Sequence, residues 1–163
     1  MNKELLEEFF EYADGHLYWK KCTTQRVKVG TIAGTKRADG YYVTQLKGRL
    51  NLNHRIIFFM HHGYLPKYID HINRNTSDNR IENLRPATLE QNQHNSKIPK
   101  NNTSGVKGVD WKKREGKWQV RITVDGKTKS FGYYNDIDYA TFVAEAMRYK
   151  YHGNFANNGK EKT

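Results

Sequence analysis

Apolar residues come in this chain as short runs, each closed within a few positions by glycine, proline or a polar turn. Residues 15–20 (GHLYWK), 30–34 (GTIAG) and 40–46 (GYYVTQL) succeed one another in this way, and Gly48 leads into Leu50 and Leu52. Such runs are strand signals and their glycines mark turns, so a small antiparallel sheet is predicted. No stretch approaches the roughly 18 apolar residues of a membrane span. The opening MNKELLEEFFEY is acidic and amphipathic, without the basic start and apolar core of a signal peptide, so an intracellular protein is expected. Residues 3–10 fit either a short helix or the approach to a strand, and the pattern leaves both open.

Asn53 is placed to cap a helix carrying His54, Arg55, Ile56, Ile57, Phe58, Phe59 and Met60, ending near Gly63 and Pro66. Residues 66–86 are polar except for Ile69, Ile72, Ile81 and Leu84, and read as an irregular segment around a hairpin. Thr88 with Gln91 three residues on is a capping box, which fixes a helix start there. Asn92 and Asn95 then lie one helical turn apart, able to face the preceding loop. Residues 96–105 (SKIPKNNTSG) have a linker's composition. Beyond them, residues 106–111, 117–124 and 127–133 read as three strands, the last two joined by the hairpin signal Asp125-Gly126. Alternation puts Trp118, Val120, Ile122 and Val124 on one face and Gln119, Arg121 and Thr123 on the other. A helix over residues 136–151 aligns Ala140, Val143, Ala144, Met147 and Tyr151 to cover the apolar face, which makes Trp118 a core residue. The expected division is a first domain over residues 1–97, a linker over 98–104 and a second domain over 105–163.

The chain carries a net charge of +11, unevenly spread. Residues 97–134 hold 10 basic and 3 acidic side chains and so supply +7 of it, while residues 135–163 hold 4 of each. A field focused in this way suits a polyanion. The single cysteine, Cys22, excludes an internal disulfide and a cysteine-rich zinc knuckle.

The densest chemistry lies in Tyr68-Ile69-Asp70-His71-Ile72-Asn73-Arg74-Asn75, followed by Asp78-Asn79-Arg80-Ile81-Glu82-Asn83-Leu84-Arg85 and then Glu90-Gln91-Asn92. A carboxylate beside an imidazole, with several amides near a helix start, suits phosphodiester hydrolysis. Histidine can activate water near neutral pH, and Asp and Asn oxygens suit a hard cation. Zinc is disfavoured by the same oxygen-rich donor set.

With the YADGHLYWK opening and the Asn53-His54-Arg55 segment, these elements resemble the HNH endonucleases of the phage and intron homing type over residues 10–95. The resemblance implies a ββα-metal module preceded by antiparallel strands. It implies that His71 is the general base, that Asp70 and Asn92 hold one divalent cation, Mg²⁺ ahead of Mn²⁺, and that Asn83 ties the loop together and orients His71. His94 and Asn95 are substitutes for Asn92 should the helix register differ. Arg80 and Arg85 are candidates to grip phosphate or are solvated charges, and His54 either supports the site or packs beside Arg55.

Residues 104–111 (SGVKGVDW), 117–122 (KWQVRI), 131–134 (FGYY) and the Tyr151-His152-Gly153 element resemble the AP2 DNA-binding domain over residues 103–157. That implies a three-stranded sheet set against DNA with one helix behind it, and makes Lys107, Lys112, Arg114, Arg121 and Lys129 candidate DNA contacts. Asp110 stands where that family commonly presents a base-reading arginine, so the module is expected to position DNA more than to specify its sequence. The reading is therefore an α+β chain that hydrolyses double-stranded DNA as a site-preferring nickase or homing endonuclease, encoded by a phage or another mobile element and acting in the cytoplasm of an infected bacterial host. It would act as a dimer if both strands are cut. The competing reading is a DNA-binding or regulatory protein without catalysis.

Overall fold

The computed structural model describes residues 2–21, 24–99 and 101–159; Cys22 and Lys100 of the expected linker lie outside them. The described residues are mixed α and β, and they separate into two compact units, one up to Ala87 and one from Thr88. No helix among them is long and apolar enough to cross a membrane.

The first unit begins with a helix, α1 (Lys3–Phe9), which settles the alternatives left open at residues 3–10. The Asn2 side chain accepts from the Leu5 N–H at 2.9 Å and so satisfies a donor with no partner inside the helix. Strands β1 (Phe10–Ala13) and β2 (His16–Trp19) then form a hairpin with Phe10 opposite Trp19. The expected strand at residues 30–34 is absent. Ile32 makes one isolated bridge to Tyr18, and Ala33 is buried with its N–H on the Leu17 carbonyl at 2.7 Å. A separate sheet comes next, in the order β3 (Thr35–Lys36), β4 (Tyr42–Leu46), β5 (Arg49–Leu52).

Helix α2 (Asn53–His62) buries Ile56, Ile57 and Phe58 against Leu6, Phe10, Leu17, Trp19, Leu46, Ile69 and Leu84. Burial of each such side chain contributes about 1.5–3 kcal/mol. Asn53 does not cap this helix, contrary to the expectation from its residue type. Leu52 occupies the cap position, while Asn53 turns inward, accepting from Thr44 Oγ1 at 2.6 Å and donating to the Ala33 carbonyl at 2.8 Å. A buried amide with both ends paired locks β4 and the segment at Ala33 to the start of α2.

Gly34 makes that junction possible. Its φ is +101°, and a Cβ there would lie 2.5 Å from Thr44 Oγ1 and 2.7 Å from the Val43 carbonyl oxygen. Gly34→Ala is expected to cost about 1–3 kcal/mol, read as a lower midpoint in a urea melt of the whole chain.

After α2, β6 (Tyr68–His71) and β7 (Leu84–Ala87) pair antiparallel, with Asp70 opposite Arg85 and His71 opposite Leu84. The hairpin expected within residues 66–86 is thus present, spanned by a long asparagine-rich loop.

The second unit opens on α3 (Leu89–His94), whose capping box is complete: Thr88 Oγ1 accepts from the Gln91 N–H at 3.1 Å and Gln91 Oε1 from the Thr88 N–H at 2.8 Å. Strands β8 (Val109–Lys112), β9 (Lys117–Val124) and β10 (Lys127–Tyr134) form an antiparallel sheet in the order β10-β9-β8. Asp125 and Gly126, both at positive φ, close the β9–β10 hairpin in two residues. Helix α4 (Ile137–His152), capped by Asp136, buries Ala140, Ala144 and Arg148, so an arginine replaces the expected Met147 and Tyr151 on its inner stripe. Arg148 is accommodated because Nε donates to Asn158 Oδ1 at 2.9 Å and Nη1 to the Lys107 carbonyl at 2.7 Å. Trp118 packs on this core and meets Trp111 edge-on at 5.0 Å.

The units divide ten residues before the expected boundary at residue 97 because α3 is bound to the segments C-terminal to it. Lys107 Nζ donates to the carbonyls of His94 and Ser96 at the helix C-terminus, at 2.9 and 2.7 Å. Asn157 Nδ2 donates to Asn95 O at 2.7 Å, and the rings of His94 and His152 stack at 3.5 Å.

Candidate active site

Asp70 and His71 are consecutive on β6 and both are buried, at 3% and 4% exposure. Two neighbours in a strand point to opposite faces, so burying both requires cover on each side. Asp70 is covered across the ladder: Arg85 Nε donates to its Oδ2 at 2.8 Å, and Nη2 lies 2.6 Å from the same oxygen in an ion pair. Arg85, a candidate phosphate grip, thus sits beside the carboxylate with its side chain 15% exposed. His71 is covered by aromatic rings. His54 of α2 meets it edge-on at 5.1 Å and Tyr41 at 5.7 Å.

His71 Nε2 lies 3.0 Å from Asn79 Oδ1. A carbonyl oxygen can only accept, so the neutral ring that makes this bond carries its proton on Nε2 and its lone pair on Nδ1. Burial pushes the His71 pKa below the ordinary histidine value, partly opposed by the Asn79 bond and the charges of Asp70 and Asp78. The ring is therefore a base already neutral at physiological pH. If neutral His71 drives the reaction, a lowered pKa extends the neutral form to lower pH. The acid limb of a pH–rate profile is expected to fall below pH 6.5, and a limb centred above that value would contradict a buried base.

The loop between β6 and β7 is closed by amides. Asn83 Oδ1 accepts from the Asn73 N–H at 2.9 Å, and Asn83 Nδ2 donates to the Asp78 carbonyl at 2.7 Å. Asn73 Nδ2 donates to Asp78 Oδ2 at 2.7 Å, and the side-chain oxygens of Asn73 and Asn75 each receive a backbone N–H two residues on. Asparagine recurs here because its side chain mimics a backbone turn. Asn83 therefore lies where it ties the loop, while the bond to His71 comes from Asn79, a residue that sequence reasoning missed. Alternation and spacing gave no signal for Asn79, since it lies in irregular backbone.

Arg80 is held by Asp78, Nε to Oδ1 at 2.9 Å and Nη2 to Oδ2 at 2.8 Å, and this pairing draws the Asp78 pKa down to about 2. His54 is 5% exposed, its Nδ1 has no hydrogen-bond partner, and burial lowers its pKa to about 3, so it is a neutral wall against His71. That places it beside the site as well as beside Arg55.

Asn92 lies on α3 of the second unit, so the first unit by itself brings together Asp70, His71 and Asn83. Among the described residues no three His, Cys, Asp or Glu side chains form a metal-holding group. Asp70 does offer a buried hard oxygen beside the base, which fits an ion such as Mg²⁺ that binds through one or two carboxylates and completes its shell with substrate and water.

The basic residues of the second unit divide by face. Register puts Lys112 across from Lys117 and Arg121 across from Ser130, on the face away from α4. Arg121 pairs there with Asp110 through Nε and Nη2, and Arg114 is exposed in the β8–β9 turn. Two candidates are engaged elsewhere. Lys107 points to the end of α3, and Lys129 lies opposite Ile122 on the helix side, its Nζ 5.8 Å from the Tyr151 ring centre.

Comparison with known proteins gives this arrangement a family. Residues 51–94, from β5 to the end of α3, match the family described as HNH endonuclease. Protein 3.8 of Escherichia phage T7 is 38% identical over 96 residues, covering 58% of this chain and 78% of that protein. No solved structure matches. The chain therefore carries an HNH endonuclease domain and belongs to one family with the phage T7 protein.

Proposed function

We propose that the chain is a divalent-metal-dependent endonuclease of double-stranded DNA, cutting one strand per site and preferring certain sites, as a nickase or homing endonuclease does. The observation that carries this reading is the buried His71 held at Nε2 by Asn79 beside the Asp70 carboxylate. In this reading Nδ1 of His71 takes the proton from the water that attacks the scissile phosphate. Asp70 would hold the cation through its carboxylate, Mg²⁺ by preference and Mn²⁺ as a substitute, and Asn92 is the second oxygen ligand that the family resemblance implies. When bound, it offsets charge on the phosphate and the departing 3′ oxygen. Asn83 keeps the loop closed so that Asn79 stays on His71.

We read β6, β7 and α3, in chain order, as the ββα-metal element, and β8–β10 with α4 as an AP2-like DNA grip. Lys112, Arg114 and Arg121 would contact DNA from the open face of that sheet, and Arg80 would do so from the first unit. The likeness to a phage protein supports a phage origin and action inside the host cell.

The test uses supercoiled plasmid and phage DNA with purified protein. Nicked circles are expected to accumulate with Mg²⁺ and to stop on chelation, restored by added Mg²⁺. Tight binding of both DNAs without cleavage under any divalent ion would leave a DNA-binding protein without catalysis.

A further inference from the structure

The outward side of α4 is unusually apolar for a helix facing solvent. Phe142 and Tyr149 are 66% and 68% exposed, Tyr139 is 57% exposed, and all three lie away from the buried Ala140, Ala144 and Arg148. The 3.6-residue period puts Phe142, Ala146 and Tyr149 along the centre of this side, with Tyr139 on its flank. Tyr139 continues the patch by packing on Tyr134 at 5.3 Å and Phe142 at 6.3 Å. A contiguous apolar patch of this kind marks a docking surface.

Charge selects the occupant. The basic excess of the chain lies in residues 97–134, whereas residues 135–163 are balanced. With Asp138 offset by Lys150 on the outward side and Glu145 on the flank beside Arg148, that surface has no basic excess to offer a polyanion such as DNA. Its charge is also ordered along the helix, with Asp136 and Asp138 at the N-terminal end and Lys150 at the C-terminal end. Two such helices laid antiparallel bring acidic end to basic end and oppose their dipoles.

We infer that α4 is a self-association surface, on which two copies of this chain pair through antiparallel α4 helices about a two-fold axis near Ala146. A two-fold contact is self-complementary, so Phe142 of each copy meets Tyr149 of the other. The small Ala146 side chain lets the helices approach to about 8–10 Å, and Lys150 of one copy comes to the Tyr139 ring of the other. Four turns of helix make a small interface, so the dimer is weak and concentration-dependent. Pairing would supply two nuclease units to one DNA, independently of which strand each one cuts.

Sedimentation equilibrium of the full chain is expected to show a reversible rise to twice the chain mass, and Phe142→Glu to weaken that association at least about tenfold with an unchanged melting curve. In a Cys22→Ser background, Ala146→Cys is expected to give a disulfide-linked dimer under mild oxidation, and Asp138→Cys not to do so. A chain that stays monomeric at every concentration overturns the inference. So does a dimer indifferent to Phe142→Glu, or one linked equally through position 138. Loss of DNA affinity in Phe142→Glu without any change in mass would make the stripe a nucleic-acid surface instead.

Discussion

His71→Ala is expected to lower the rate of Mg²⁺-dependent plasmid nicking by about 10²–10⁴-fold, the range general-base assistance supplies, while DNA affinity stays within a small factor of wild type. The split arises from position. His71 is 4% exposed and carries no charge at neutral pH, so removing it takes away neither a phosphate contact nor any of the field that gathers DNA. Its loss leaves a cavity beside His54 and Tyr41, which a thermal melt will register as lower stability, so the assay belongs well below the melting point. Asn79→Ala makes the companion measurement. It keeps the imidazole but frees Nε2 from its acceptor, so the ring can place its proton on either nitrogen and the base is mis-set part of the time. A smaller fall in rate with a displaced acid limb is expected for that variant. Equal activity in wild type and His71→Ala would remove histidine from the chemistry altogether.

Asp70→Ala is expected to cost about 3–5 kcal/mol of stability, a large share of what holds a small unit together. Arg85 donates to the Asp70 carboxylate through Nε and pairs with it through Nη2, and alanine would leave that guanidinium facing the cavity from a side chain only 15% exposed. This matters for how an inactive variant is read. A dead Asp70→Ala protein could have lost a metal ligand or its fold, and activity alone does not separate them. Asp70→Asn keeps an oxygen for Arg85 with little change of shape and is expected to cost well under half as much. Urea titrations of both variants beside isothermal titration of Mg²⁺ into the DNA complex divide the two effects. A stable Asp70→Asn that no longer takes up the ion assigns the carboxylate to the metal, whereas unchanged uptake would leave it a purely structural partner of Arg85.

Much of the backbone was legible in the sequence where one local rule decided it. Thr88 and Gln91 form the capping box their spacing announced, Asp125-Gly126 closes the hairpin expected of it, and the alternation along β9 buries Val120, Ile122 and Val124. Errors arose where two rules competed. Asn53 has a capping residue's chemistry, but a buried bond to Thr44 and the Ala33 carbonyl outweighed an exposed cap. Lys129 lies on the helix side of its sheet, and the signal for that was present, since a two-residue turn after Val124 already sets Lys129 across from Ile122. Lys107 looked like a phosphate contact because composition records charge and not direction. In the candidate site, the adjacency of Asp70 and His71 was visible by inspection. The identity of the amide on Nε2 was not, because the path from β6 to β7 is irregular backbone whose closure depends on Asn73, Asn75 and Asn83 acting together.

That closure also sets what the exchange of a single atom group would do. Asn83 uses both ends of its amide, one accepting and one donating. Hydrolysis to aspartate would keep the acceptor, lose the donor and set a negative oxygen against the Asp78 carbonyl. A one-dalton change invisible to most assays of shape would thus loosen the loop that carries Asn79. Asn83→Asp, which makes that change outright, is expected to lose nicking activity while its helix signal stays that of the wild type.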